Sequence, residues 1–323
     1  MDALLLNLLS SPWAMEADKI DVMVRVLARR YTGKRGWENG DGATIADQAA
    51  VRGGAYPVGD VAVLPLAGII SPRGNMLVDS SGFVSIEMWI REFERLVRDS
   101  EVKAIVLDVD SPGGSYPGVP EAAARVFAAR DAKPIVAVSN YLNASAAYLI
   151  SSQAHEVVGS VSSMTGSIGI YRIHENLGAA LEAEGVDVTT VFAGKFKTEW
   201  APFGPLSEAA LEFAQEQVNE GYAQFLSAVA RGRGTTADQV RAGYGEGRAL
   251  RGAAAVAANL IDRVATLEGT VQRLQSPQAR GRVRASGESL QSPQADPVDG
   301  AELAAAVKER LDSAGAEPPD APD

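Results

Sequence analysis

The sequence predicts an α/β fold built on a mainly parallel sheet, and three observations carry that prediction. Short runs rich in Val and Ile recur at 61–70 (VAVLPLAGII), 103–110 (KAIVLDVD), 134–140 (PIVAVSN) and 186–194 (VDVTTVFAG). Amphipathic helical stretches separate them, which is the alternation that βαβ units produce. The hydrophobic fraction, 46% of 323 residues, is sufficient to bury a core of that kind.

Three regions follow in order. Residues 1–55 read as an N-terminal helical segment and linker: Ile20, Val24, Leu27 and Tyr31 share one face, and a glycine-rich polar stretch follows. The apolar run Ala3–Leu9 follows an aspartate and is far shorter than the roughly 20 residues that span a bilayer, so neither a signal peptide nor a membrane anchor is expected. Residues 56–266 form the expected α/β domain. Its helices run from Ile86 to Arg98 (Ile86, Ile90, Phe93 and Val97 inward), from Glu121 to Arg130, and from Ser207 to about Arg231. The last carries the row Leu211, Ala214, Val218, Tyr222, Phe225 and Val229, and Thr236 with Gln239 makes a capping box for a further helix.

Residues 267–323 read as a disordered, acidic, Pro-rich tail. No aromatic residue follows Tyr244, LQSPQA occurs at both 274–279 and 290–295, and such a composition buries too little apolar area to offset chain entropy. The segment 301–315 alone has helical propensity.

Charge and rare residues narrow the chemistry. With 41 acidic against 30 basic residues the formal net charge is −11, a sign that repels phosphate backbones and disfavours nucleic acid as a partner. Absence of cysteine removes disulfides, thiolate metal sites and cysteine nucleophiles, and fits a reducing, cytoplasmic setting. Two histidines, His155 and His174, are too few for a histidine-rich metal site, so no metal and no cofactor is expected.

Three segments suit catalysis. In SNYLNASAAYLISSQAHEVVG (139–159) an apolar strand runs into Asn143-Ala144-Ser145-Ala146-Ala147 and then an apolar helix. Ser145, flanked by small residues at a helix N-terminus, is placed as a nucleophile; a plain N-cap serine would look the same. In LDVDSPGGS (107–115), Gly113 and Gly114 let the backbone present N–H groups, half of an oxyanion hole that Ala146 would complete, although a lone PGG is often only a turn. In VFAGKFKTEWAPFGPLS (191–207), Lys195 and Lys197 follow a strand among Phe192, Phe196, Trp200 and Phe203, which could form an apolar cleft. A lysine acts as a general base only where such burial lowers its pKa.

The order SPGG, ASAAY, TGSIG (165–169) and GKFKT, over roughly residues 60–265, resembles the signal peptide peptidase A family of Ser/Lys serine peptidases, especially its phage capsid-assembly (head maturation) branch. The resemblance implies a ClpP/crotonase-like fold of stacked, mainly parallel sheets with flanking helices, assembled into a ring-shaped homo-oligomer. It implies Ser145 as nucleophile, Lys197 as base, Gly114 and Ala146 as oxyanion donors with Gly113 in support, and Ser167 as the serine that orients the lysine amine. It further implies scaffold, capsid or portal proteins as substrates or docking partners, in the host cytoplasm or within a procapsid. Ala146 and Ala147 stand where glycines are usual, and the membrane anchor of the cellular peptidases is not seen. Other readings stay open: His174 as the base, a cellular signal-peptide-peptidase-like protease, a crotonase-like acyl-CoA enzyme, and a non-catalytic scaffold or capsid protein on a peptidase fold.

Overall fold

The computed structural model describes residues 13–15, 54–73 and 82–288. The expected helix over 20–31, the glycine-rich linker and the helix over 301–315 lie outside the described residues. A first strand, β1 (Trp13–Met15), is followed by β2 (Tyr56–Val58), β3 (Val61–Ala67), β4 (Ile69–Ser71) and β5 (Phe83–Ser85). Next come helix α1 (Ile86–Arg98), β6 (Ala104–Ser111), β7 (Gly113–Ser115), α2 (Val119–Ala128), β8 (Ile135–Ala144) and α3 (Ala146–Ser151). The chain continues through β9 (Glu156–Gly159), β10 (Met164–Gly166), α4 (Gly178–Ala183), α5 (Glu208–Arg233), α6 (Ala237–Gly243), β11 (Ala249–Arg251), α7 (Gly252–Ala257) and β12 (Arg263–Val264). It closes with α8 (Leu267–Leu274) and α9 (Pro277–Glu288).

Two sheets result. The larger runs β11-β10-β8-β6-β3-β2, with β9 beside β8 and β12 beside β9; the smaller runs β1-β7-β4-β5. The pairs β3·β6, β6·β8, β8·β9 and β8·β10 are all parallel, so this is the mixed α/β, mainly parallel architecture that the sequence predicts. β8 is long because it serves two neighbours on one side: Val136–Ser139 pair with β9, and Leu142–Ala144 pair with β10.

The central strands are buried on both faces, which is why they read as continuous apolar runs rather than alternating ones. Ile105, Leu107 and Val109 face one cluster with Trp89, Phe93, Val126 and Phe225 from α1, α2 and α5. Ala104, Val106, Val136 and Val138 face another, covered by Val271, Leu274 and Val283. α1 shows how local signals set an element: the Ser85 hydroxyl accepts from Met88 N–H at 3.4 Å, Glu87 sits in the first turn and Arg95 and Arg98 in the last. Its Trp89 stacks on Phe93 at 5.5 Å and donates Nε1–H to Pro65 O at 3.0 Å.

Two expectations are corrected. Residues 186–194 are not a strand: the whole run 182–197 is exposed, and its apolar alternation finds no sheet edge among the described residues. The order of the chain does not stop at 266, because α8 and α9 pack against the sheet. There Glu156 pairs with Arg263 at 2.6 Å and with Arg273, while Arg280 pairs with Asp60 at 2.5 Å. A composition argument averages over a tail and misses a few well-spaced valines and arginines. His155 is buried: it is 5% exposed and its Nδ1 accepts the Ile135 N–H at 3.2 Å.

Burial, reinforced by Arg130 and Arg284, pushes the His155 imidazole down from 6.5 to about 4. The folded ring therefore holds a proton less readily than the unfolded one. Its contribution to stability is complete above about pH 6.5 and is lost as pH falls toward 4, amounting to at most about 3 kcal/mol. His155→Gln, which keeps an acceptor but does not titrate, is expected to flatten the stability curve between those limits. Urea unfolding at stepped pH checks it, and an unchanged slope would refute the assignment.

Candidate active site

The site is assembled where β6 and β8 leave the sheet. The two strands pair in step as far as Val109 and Ser139, and the next pair is Ser111 with Asn143. β8 thus uses four residues where β6 uses two, and the bulge leaves Tyr141 67% exposed. Two residues beyond that pair stand Gly113 on one chain segment and Ser145 on the other.

Both glycines after Pro112 are required. Gly113 has φ +93°, and a Cβ on Gly114 would lie 2.1 Å from Ile70 O, so only glycine lets β4 approach. The Ser111 hydroxyl fastens the turn, donating to Gly68 O at 2.6 Å and accepting from Gly113 N–H at 3.2 Å.

Ser145 occupies a sharp elbow, with φ +55° and ψ −118°, a conformation costly for any residue with a Cβ. Its N–H donates to Gly166 O at 2.8 Å, and its C=O accepts from Leu149 N–H at 2.9 Å. The hydroxyl caps nothing in α3; among the described residues it donates to Gly169 O at 3.4 Å. A helix N-cap serine would instead accept from its own first turn. Ala146 N–H, first in α3, has no acceptor within the helix and is free in principle to meet an anion. Every residue of α3 is buried, which holds the elbow from below. Ser167 follows Gly166, has φ +54° and donates its amide to Arg248 O at 3.0 Å. The structure therefore gathers Ser145, Ala146, Gly113, Gly114 and Ser167 around the ends of β6, β8 and β10.

It does not gather Lys197. That residue lies on the exposed run 182–197 and forms no hydrogen bond with Ser145. The expected aromatic cleft is not formed within one chain either: Phe192, Phe196 and Phe203 are exposed. Lys195 lies over the Phe196 ring at 4.9 Å. Trp200 packs instead against Arg172 at 4.1 Å and, edge-on, against His174 at 5.4 Å. His174 Nε2 is 3.2 Å from Ala201 O, so its ring is engaged away from Ser145.

One feature escaped the sequence reading. Beneath the elbow, Asn143 Nδ2 donates to Ser139 Oγ at 2.9 Å and to Ser151 Oγ at 2.8 Å, and Thr165 Oγ1 donates to Ser139 Oγ at 2.9 Å. All four side chains are wholly buried. They tie β8, β10 and α3 together at the point where Ser145 must be held. Polar residues recurring inside an otherwise apolar strand–helix segment were the available signal.

Residues 128–280 match the model of Peptidase family S49. Capsid assembly protease C of Escherichia phage lambda is 34% identical over 171 residues, covering 52% of this chain and 39% of that protein. Head-tail preconnector protein GP5 of Enterobacteria phage P21 is 28% identical, covering 64% of this chain and 41% of that protein. Protease 4 of Salmonella typhi is 33% identical, covering 54% and 28%. The chain thus spans less than half the length of each of these relatives. Among solved structures, an enoyl-CoA hydratase/carnithine racemase from Magnetospirillum magneticum aligns with 79% of this chain and 86% of its own, at 14% identity and a TM-score of 0.42.

The elbow itself makes a prediction independent of any reaction. Ser145→Gly removes a Cβ from a strained conformation and forfeits no capping bond, so the variant is expected to be more stable by about 1 kcal/mol, whereas Ser145→Ala keeps the strain. Thermal denaturation compares the two, and a glycine variant less stable than the alanine one would contradict the strain.

Proposed function

We propose that this chain, which carries a Peptidase family S49 domain, is a serine endopeptidase with Ser145 as nucleophile and Lys197 as general base. The observation that carries the proposal is the Ser145 elbow. A nearly uncapped hydroxyl stands on a strained, rigidly backed turn beside N–H groups that a tetrahedral oxyanion would need. In this reading Gly114 and Ala146 donate to the oxyanion, Gly113 shapes their turn, and Ser167 orients the lysine amine. Lys197 takes the hydroxyl proton as Ser145 attacks a peptide carbonyl, and the proton then goes to the leaving amine.

The exposed position of Lys197 belongs to the same proposal. The run 182–197 carries Val186, Val188, Val191, Phe192 and Phe196 on its surface, and the start of α5 adds Leu211 and Phe213. Exposed apolar groups in this number suit contact between subunits. We take the assembly to be a ring of copies in which this face is covered and the lysine reaches a serine. Cleavage of scaffold, capsid or portal proteins is the finer reading, supported by the names of the two phage relatives. A non-catalytic capsid or scaffold role is favoured by one observation, that Ser145 and Lys197 do not meet within a chain.

Mutual complementation decides between them. Ser145→Ala and Lys197→Ala are each expected to lower peptide hydrolysis by at least about 10²-fold, while Lys195→Ala retains substantial activity. Mixing the two inactive variants is expected to restore a measurable fraction of the rate, because some interfaces then combine an intact Ser145 with an intact Lys197. Light scattering on the same samples reports the assembly. Wild-type chain that labels with no fluorophosphonate and cuts no peptide would favour the non-catalytic role.

A further inference from the structure

In the smaller sheet, among the described residues, β7 has β4 on one side and residues 13–15 on the other. That pairing is antiparallel and in register: Trp13 faces Ser115, Ala14 faces Gly114, and Met15 faces Gly113. β7 also lies close to the elbow. It begins two residues after Ser111, whose partner Asn143 lies two residues before Ser145, and α3 packs directly on it.

An edge made of two glycines and a serine offers main-chain N–H and C=O groups with almost no side chain. What such an edge recognises is extended backbone, added as one more strand. The chain has placed its own residues 13–15 in that position.

We infer that residues 13–15 are a built-in occupant of the peptide-binding edge, competing in cis with an extended peptide that pairs antiparallel to β7. That the displaced peptide is a substrate rests on the peptidase reading above; the occupancy itself rests on the strand pairing. A tethered segment is present at high effective concentration, so it excludes short or weakly pairing peptides. It is only three residues long, and a peptide that pairs further along the edge or docks elsewhere as well can displace it. The device therefore sets a threshold that favours long, multiply anchored extended segments. The register also names a preference, a small residue opposite Gly114, as Ala14 is.

The test measures binding, not cleavage. A fluorescein-labelled peptide with the sequence of residues 11–17, SPWAMEA, is titrated by anisotropy into full-length chain carrying Ser145→Ala, with and without Ala14→Pro. Proline removes an N–H and fits a strand interior poorly, so it should vacate the edge. Ala14→Pro is expected to tighten peptide binding about tenfold or more, and Met15→Pro, a second variant, to do the same. Amide exchange at Gly114 and Ser115 gives an independent measurement: protection falls in each proline variant and returns with saturating peptide. Unchanged affinity in both variants, or unchanged protection, overturns the inference. Hydrolysis by the Ser145 chain is scored separately. Tighter binding without any hydrolysis supports the occupancy and removes the peptidase reading, while hydrolysis with unaltered binding does the reverse.

Discussion

The amide of Ser145 is given to Gly166 O, and the helix that starts at the next residue is buried on every side. Those two facts leave the serine nowhere to relax, which is why a residue with a Cβ persists at a positive φ. The rest of the architecture serves that constraint. β8 reaches Ser145 only because it is long enough to pair first with β9 and then with β10. β10 in turn supplies the acceptor because β11 closes its other side. The buried Asn143–Ser139–Ser151–Thr165 network sits where apolar packing alone could slide, and directional bonds fix the register instead.

The proposed site then divides into a rigid half and an exposed half. Ser145, the glycine turn and Ser167 stand on strands whose positions are set by a core packed on both faces. Lys197 stands on a run whose apolar side chains face outward. Under the proposed function, a nucleophile that is preformed and a base on an unfinished surface would separate folding from activity. The first is completed within one chain, and the second waits for whatever covers the surface.

The sequence made the parallel sheet, the helices α1, α2 and α5, the capping box at Thr236 and the place of Ser145 legible, because each depends on local periodicity or local turn chemistry. The run 186–194 misled because alternation of apolar residues reports a tendency to be covered, not by which chain. α8 and α9 were missed because three apolar side chains, Val271, Leu274 and Val283, suffice when a valine-rich face awaits them, and no window average registers three residues. The pairing of residues 13–15 with β7 joins positions far apart in sequence, where periodicity carries no information.

The helices α8 and α9 also fix the order in which the molecule can be made. The face formed by Val61, Val63, Val106, Val136, Val138 and Val158 is complete once β9 has been synthesised, yet its cover lies more than a hundred residues later. Until then a nascent chain displays a strip of valines, the kind of surface that chaperones hold and that aggregates when they do not. A nonsense codon or a protease cut just after β12 would freeze the chain in that state, with the Ser145 elbow already encoded but the slab beneath it uncovered.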